Sequence, residues 1–153
     1  MAWASKVPAA IDGLVAAFTD WPGLAGVTVR DGPSTSQATL MEVVSVGYTG
    51  GEEEIDAESA LVGEGLGGSP DREQLTIRCA AAVLRGGDDI VGARARAFQL
   101  LSEAGAAIAA NRTLGGAVMR ARVASHSLSQ SLTQQGAQVI VMFEVSCDTY
   151  TGR

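Results

Sequence analysis

The sequence predicts an α+β fold, a mixed and mostly antiparallel sheet of about five strands with two helices packed on one face. Two observations carry this prediction. Apolar residues recur at helical spacing in two stretches, and between and after them lie stretches that are β-branched or alternate between apolar and polar residues. The predicted order is helix, three strands, helix, two strands. A chain of 153 residues is expected to form a single domain, 1–153, with a buried core.

The first helix is predicted to begin near Val7 and Pro8, because proline is favoured at the first helical position. It is expected to end before Pro22, since proline disfavours helical geometry at the residue that precedes it. The apolar residues of its stripe are Val7, Ile11, Leu14, Val15 and Phe18. Three strands are then predicted, over residues 27–29, 40–48 and 75–83.

The second helix is predicted over residues 88–111. Asp88 and Asp89 follow a Gly-Gly turn and suit the N-terminus of a helix, both as caps and by their charge. Asn111 tolerates the backbone geometry of a helix end. The predicted buried stripe comprises Val91, Phe98, Leu101, Gly105 and Ile108, with Ala97 and Ala104 beside it.

The last two strands alternate between an apolar and a polar face, as antiparallel strands do when one side packs on helices. In the first of them Arg120, Arg122 and His126 are predicted to share the polar face, opposite Ala117, Met119, Ala121 and Val123. In the second, residues 139–147 place every other side chain in the core. Residues 125–137 are rich in Ser, Gln and Thr and are predicted to form a long hairpin tip.

Charge is distributed unevenly along the chain. Residues 50–73 carry eight acidic side chains and one basic one, a balance of −7, whereas the whole chain has a net charge of −6. This glycine-rich acidic segment is predicted to be a long, mobile loop that a partner orders. Residues 78–122 contain seven arginines against three acidic residues. The overall negative charge argues against general nucleic-acid binding, which requires a basic surface.

No catalytic, metal or cofactor motif is identified. Residues 63–68 are glycine-rich but lack the Lys-Ser/Thr pair of a phosphate loop. One histidine and two distant cysteines give no metal-ligand spacing, and Cys79 and Cys147 are expected to be buried apolar residues. The residues alone therefore specify no chemistry.

No membrane association is expected, because no apolar run is long enough to span a bilayer. Asp12 and Asp20 interrupt the N-terminal apolar stretch, which therefore lacks the pattern of a signal peptide. A cytoplasmic origin is expected.

Several short motifs resemble those of one structural family. They are Arg78 with the strand 79–83, the turn 85–88, Ala93 and Arg94 in the helix, the segment 111–116, the closing strand 136–145, and the opening helix 7–18 with the Trp-Pro-Gly-Leu sequence 21–24. In these features the chain resembles the tail terminator (tail completion) proteins of long-tailed bacteriophages, particularly those of actinobacterial hosts. The resemblance covers nearly the whole chain except the acidic segment.

The resemblance implies a virion structural protein of the tail neck, assembled in the host cytoplasm, without enzymatic activity and without a cofactor. It implies a homo-oligomeric ring, expected to be a hexamer, that caps the tail tube, ends tube polymerisation and binds the tail tube protein and the head-tail connector protein. DNA would pass through such a ring without specific binding.

Candidate residues for the subunit interface or the lumen are Glu52, Glu53, Glu54, Asp56, Glu58, Arg94, Arg120 and Arg122. Two placements of the acidic residues are open. They line a lumen that repels DNA phosphates, or they meet Arg120 and Arg122 of the next subunit. The two arginines could also be a solvated sheet edge.

Two other functions are considered. The first is another neck or tail-tube structural protein. The second is a small ligand-binding domain or hydrolase, which would require a pocket holding Asp88, Asp89 or His126.

Overall fold

The computed structural model describes residues 4–33, 41–49, 55–63 and 71–151. These residues form two α-helices, one short 3-10 helix and the six strands of one sheet. The elements are α1 (Val7–Asp20), a short 3-10 helix (Pro22–Leu24), β1 (Thr28–Asp31), β2 (Glu42–Val46), β3 (Ala57–Val62), β4 (Arg72–Arg85), α2 (Ile90–Ala110), β5 (Arg120–Thr133) and β6 (Gly136–Tyr150).

The strand order is β1-β2-β4-β6-β5, and β3 also pairs with β4. Only β1 and β2 run parallel, and the remaining described pairs are antiparallel. The predicted α+β class with a mixed, mostly antiparallel sheet is confirmed. β3 and β2 share one edge of β4, since β3 pairs with its first half and β2 with its second half.

Both helices pack on the same face of the sheet, here called the inner face. α1 contacts β1 to β4 and α2 contacts β4 to β6, and their buried residues join one core with alternate residues of β4 and β6. Phe18 of α1 meets Phe143 of β6 edge to face, with ring centroids 6.4 Å apart. The opposite side of the sheet, here called the outer face, carries most of its charged side chains.

The buried side of α2 agrees with the predicted stripe at Ala97, Ala104 and Ile108 and departs from it elsewhere. It comprises Ala93, Ala97, Leu100, Ala104, Ala107 and Ile108, whereas Val91 is 63% exposed. Four of these residues are alanines, whose small side chains let the helix approach the sheet closely. The predicted capping is confirmed, because Asp89 accepts a hydrogen bond of 2.9 Å from the Gly92 amide.

The acidic segment contains a strand, which corrects the prediction of an irregular loop over residues 50–73. β4 begins at Arg72 and is much longer than β2, so its first half would lack a partner on that edge without β3. Pairing with β3 satisfies those backbone groups. Residues 50–54, which include Glu52, Glu53 and Glu54, lie outside the described residues.

The predicted hairpin tip is also corrected. β5 continues to Thr133 and pairs along its whole length with β6. A bulge between Val123 and Ser125 inserts one extra residue, which reverses the alternation beyond it. His126 therefore lies on the inner face, against the prediction, and its ring meets the Phe98 ring of α2 at 5.8 Å.

No helix in the described part of the chain is long and apolar enough to cross a membrane.

Candidate subunit interface

The outer face carries an array of ion pairs close to β5. Asp148 of β6 lies between two arginines: its Oδ1 is 3.3 Å from Nη2 of Arg72, and its Oδ2 is 3.4 Å from Nη2 of Arg120. Arg120 is the more exposed of the two, with 64% of its side chain accessible. Exposed ion pairs of this kind contribute little stability, so Arg120 remains available to other carboxylates.

A second cluster is centred on Arg78 of β4. Its Nη2 lies 3.3 Å from Oε1 of Glu58, and its Nε lies 3.4 Å from Oε1 of Glu144. The same guanidinium donates a 2.8 Å hydrogen bond to the carbonyl oxygen of Ile55. Arg78 thus fixes the backbone that leads into β3, and its amide donates to the carbonyl oxygen of Asp56 at 2.9 Å.

The predicted acidic and basic residues share the outer face but do not meet within the subunit. Glu58 pairs with Thr76, Thr76 with Ser146, and Ser146 with Arg122 in one cross-strand row. Three strand spacings separate the ends of that row by about 14 Å. Among the described residues, the exposed side chain of Arg122 has no ionic or hydrogen-bonding partner.

The other predicted site residues are more scattered. The side chain of Asp56 is exposed, two residues before Glu58. Arg94 lies on α2 and donates from Nη1 to Oε1 of Gln130 at 3.0 Å, so it helps to hold α2 against the far half of β5.

A cleft of about 310 Å³ opens between α2 and the edge strand β5. Its floor is apolar and built from small or aliphatic residues. Arg112, Arg120 and Arg122 also line it, and the last two reach its opening from the edge strand, since their side chains leave β5 on the outer face. The lining residues are Gly105, Ile108, Ala109, Arg112, Arg120, Ala121, Arg122 and Val123. An apolar floor inside a cationic rim suits a ligand that is aliphatic and anionic at once.

The residues considered for catalysis do not converge on one site. Asp89 is engaged as the cap of α2, and His126 packs on Phe98. Among the described residues, no cluster of His, Cys, Asp or Glu could hold a metal ion.

Both cysteines are free and buried, as predicted. Burial raises the pKa of the Cys79 and Cys147 thiols to about 12. Neither thiol is therefore suited to act as a nucleophile.

Sequence reasoning missed Arg72 and Arg78 as members of the outer-face array. The signal was present, because Arg78 alternates with the buried residues Ile77 and Cys79, and Glu144 and Asp148 alternate with buried residues of β6. What the sequence did not contain was the register that brings these side chains together. The cleft was missed for the same reason.

No family model matches the chain, and a search of curated proteins found no match. Among solved structures, the chain is similar to a chain from the virion of a native gene transfer agent (GTA) particle. The two chains are 13% identical, the similarity covers 95% of each, and the TM-score is 0.47.

Proposed function

We propose that the protein is a virion structural protein that forms a ring, caps the tail tube, ends tube polymerisation and joins the tail to the head connector. The observation that carries this proposal is the edge of β5 that faces away from β6. This strand has 14 residues, and among the described residues no strand pairs with its outer edge. The sequence resemblance to tail terminator proteins supplies the specific role.

A free edge of this length is suited to assembly. Fourteen residues extend over about 45 Å, and an unpaired strand edge offers backbone donors and acceptors to another chain. Beyond its bulge, residues 125–133 of β5 contain no proline, lysine, arginine or acidic residue, and proline and charged side chains are what commonly protect an edge from pairing.

The two sides of the sheet also differ in charge. Asp56, Glu58 and Asp71 lie on or beside β3 and the start of β4, where Arg72 and Arg78 offset part of their charge, whereas Arg120 and Arg122 lie on β5 at the opposite edge of the sheet. Unlike surfaces at opposite edges favour head-to-tail contacts, which close into a ring when the rotation between subunits permits. Charge complementarity also selects the partner and its register.

The lumen is the alternative place for the acidic residues. A negatively charged channel would repel phosphates and let DNA pass without binding. Reversal of charge at Arg120 and Arg122, both to Glu, separates the two placements. Loss of the ring supports an interface, and an intact ring supports the lumen.

The first experiment is the native mass of the purified protein, with negative-stain images of the same sample and of the sample mixed with tail tubes. Closed rings, or discs at tube ends that stop further growth, are the expected result. Long tubes formed by the protein alone would identify a tube subunit instead. Tubes that grow equally well with and without the protein would overturn the capping role.

A further inference from the structure

We infer that the cleft between α2 and β5 is a socket for the Ile55 side chain of a second copy of this chain, with the neighbouring carboxylate of Asp56 placed against the arginines at its rim. The inference rests on the proposed self-assembly and specifies the contact that produces it.

The cleft is open because its walls are made of small residues. Gly105 and Ala109 face it from α2, and Ala121 and Val123 face it from β5. A Cβ added to Gly105 would meet no atom within 4 Å, so the helix leaves free space at this point. Such a surface gains stability when an aliphatic side chain fills it and removes its apolar atoms from water.

The rim is cationic and incompletely paired. Within the described residues, the side chains of Arg112 and Arg122 have no ionic partner, and Arg120 has only its 3.4 Å contact with Asp148. Arginine is well suited to carboxylates because its planar group donates two parallel hydrogen bonds. A carboxylate beside an aliphatic side chain matches both parts of the cleft.

Ile55 and Asp56 have these two properties. Ile55 is 50% exposed, and Asp56 beside it is exposed. Arg78 holds their backbone, through the Ile55 carbonyl at 2.8 Å and the Asp56 carbonyl at 2.9 Å. A segment fixed in this way loses little conformational entropy on binding.

The sheet order requires that the contact be made between copies. Asp56 leads directly into β3, and β4 and β6 lie between β3 and β5. Three strand spacings, about 14 Å, keep the segment away from the cleft of its own subunit. A projecting residue at one side and a socket at the other make a head-to-tail contact, which repeats from subunit to subunit.

The decisive test is cysteine cross-linking of the full chain in the sample whose native mass is measured. The variant Ile55→Cys/Val123→Cys should form a ladder of disulfide-linked multimers under mild oxidation. The control Ile55→Cys/Ser127→Cys places the second thiol on the outer face of β5, away from the cleft, and should form none. The native cysteines are buried and do not compete.

An absent ladder, or an equal ladder in the control, overturns the socket. Closed wild-type rings without the specific ladder would refute the socket while leaving the proposed function standing. A specific ladder in a sample that never caps tail tubes would support the socket while refuting the proposed capping function.

A second pair of variants fills the cleft without touching its charges. Ala109 lines the cleft, whereas Ala106 is exposed on α2 outside it. Ala109→Trp should weaken self-association by at least about tenfold, which corresponds to about 1.4 kcal/mol, and Ala106→Trp should leave it unchanged. Equal association of the two variants, both folded by circular dichroism, would contradict the inference.

Discussion

Glu73 is a buried carboxylate on which the start of α1 depends. It lies in the acidic segment of the sequence, yet its exposed fraction is 0%. Its Oε2 accepts a 2.5 Å hydrogen bond from the Ser5 hydroxyl, and its Oε1 accepts a 2.7 Å hydrogen bond from the Lys6 amide. The same hydroxyl accepts from the amide of Val7, the first residue of α1.

Replacement of Glu73 by alanine should lower the free energy of unfolding by about 3–5 kcal/mol. Two partly buried hydrogen bonds to a charged group would be lost, at about 1.5–3 kcal/mol each, and the removed methylene groups would leave a cavity with a further cost. The whole domain is expected to be stable by only about 5–15 kcal/mol, so the loss would be a large share of its stability.

Urea unfolding followed by circular dichroism measures this change. Ser5→Ala removes one of the two hydrogen bonds and should cost about 1–2 kcal/mol. Glu58→Ala is the matched control, because Glu58 belongs to the same acidic segment but its side chain is 53% exposed. This substitution should change the free energy of unfolding by less than about 1 kcal/mol. If Glu73→Ala were no more destabilising than Glu58→Ala, the anchoring role of Glu73 would be refuted.

Three further predictions concern other parts of the fold. Hydrogen bonds of 2.6 and 3.0 Å from Arg96 lower the pKa of Glu42, so this pair stabilises the fold above the ordinary glutamate pKa and loses that effect as the pH falls. Glu42→Gln should lower the free energy of unfolding by about 1 kcal/mol at neutral pH and make it fall less steeply as the pH drops below the ordinary glutamate pKa. An equally steep fall in the variant would contradict the pairing. Cys79, with its thiol pKa raised by burial to about 12, should resist thiol reagents at pH 8 until urea unfolds the chain; rapid labelling of native protein would contradict its burial. Gly136 has a φ of 123°, and a Cβ there would overlap the backbone at the end of β4, so Gly136→Ala should lower the melting temperature while Gly105→Ala, in open space, should not.

The helices illustrate what local sequence can and cannot predict. The start of α2 with its Asp89 cap, and its end before Asn111, follow from signals within a few residues of each helix end, and both predictions are confirmed. The packing face was predicted in part: Ala97, Ala104 and Ile108 are buried and Phe98 and Leu101 pack against the core, but Val91 is exposed and Ala93 is buried instead. Close packing selects small side chains there, and only the sheet determines that preference.

β3 was missed because its pairing partner lies further along the chain. Glycine and acidic residues are depleted in strands, and the segment around Ala57–Val62 is rich in both. Because β4 begins at Arg72, however, the backbone groups along one edge of its first half need a partner, and β3 pairs with them. The burial of Glu73 has the same origin, because its position in β4 directs it to the inner face, towards the start of α1.

The candidate interface depends on the sheet order in the same way. The charge pattern of the sequence predicts attraction between the acidic segment and the arginines of β5, but it does not predict whether that attraction acts within one subunit or between two. In the row that joins Glu58 to Arg122, two uncharged residues, Thr76 and Ser146, occupy the intervening strands. Glu58 is instead paired with Arg78 within the subunit, whereas Arg122 has no ionic partner among the described residues. A carboxylate of a second copy, approaching with its opposite side, could pair with Arg122.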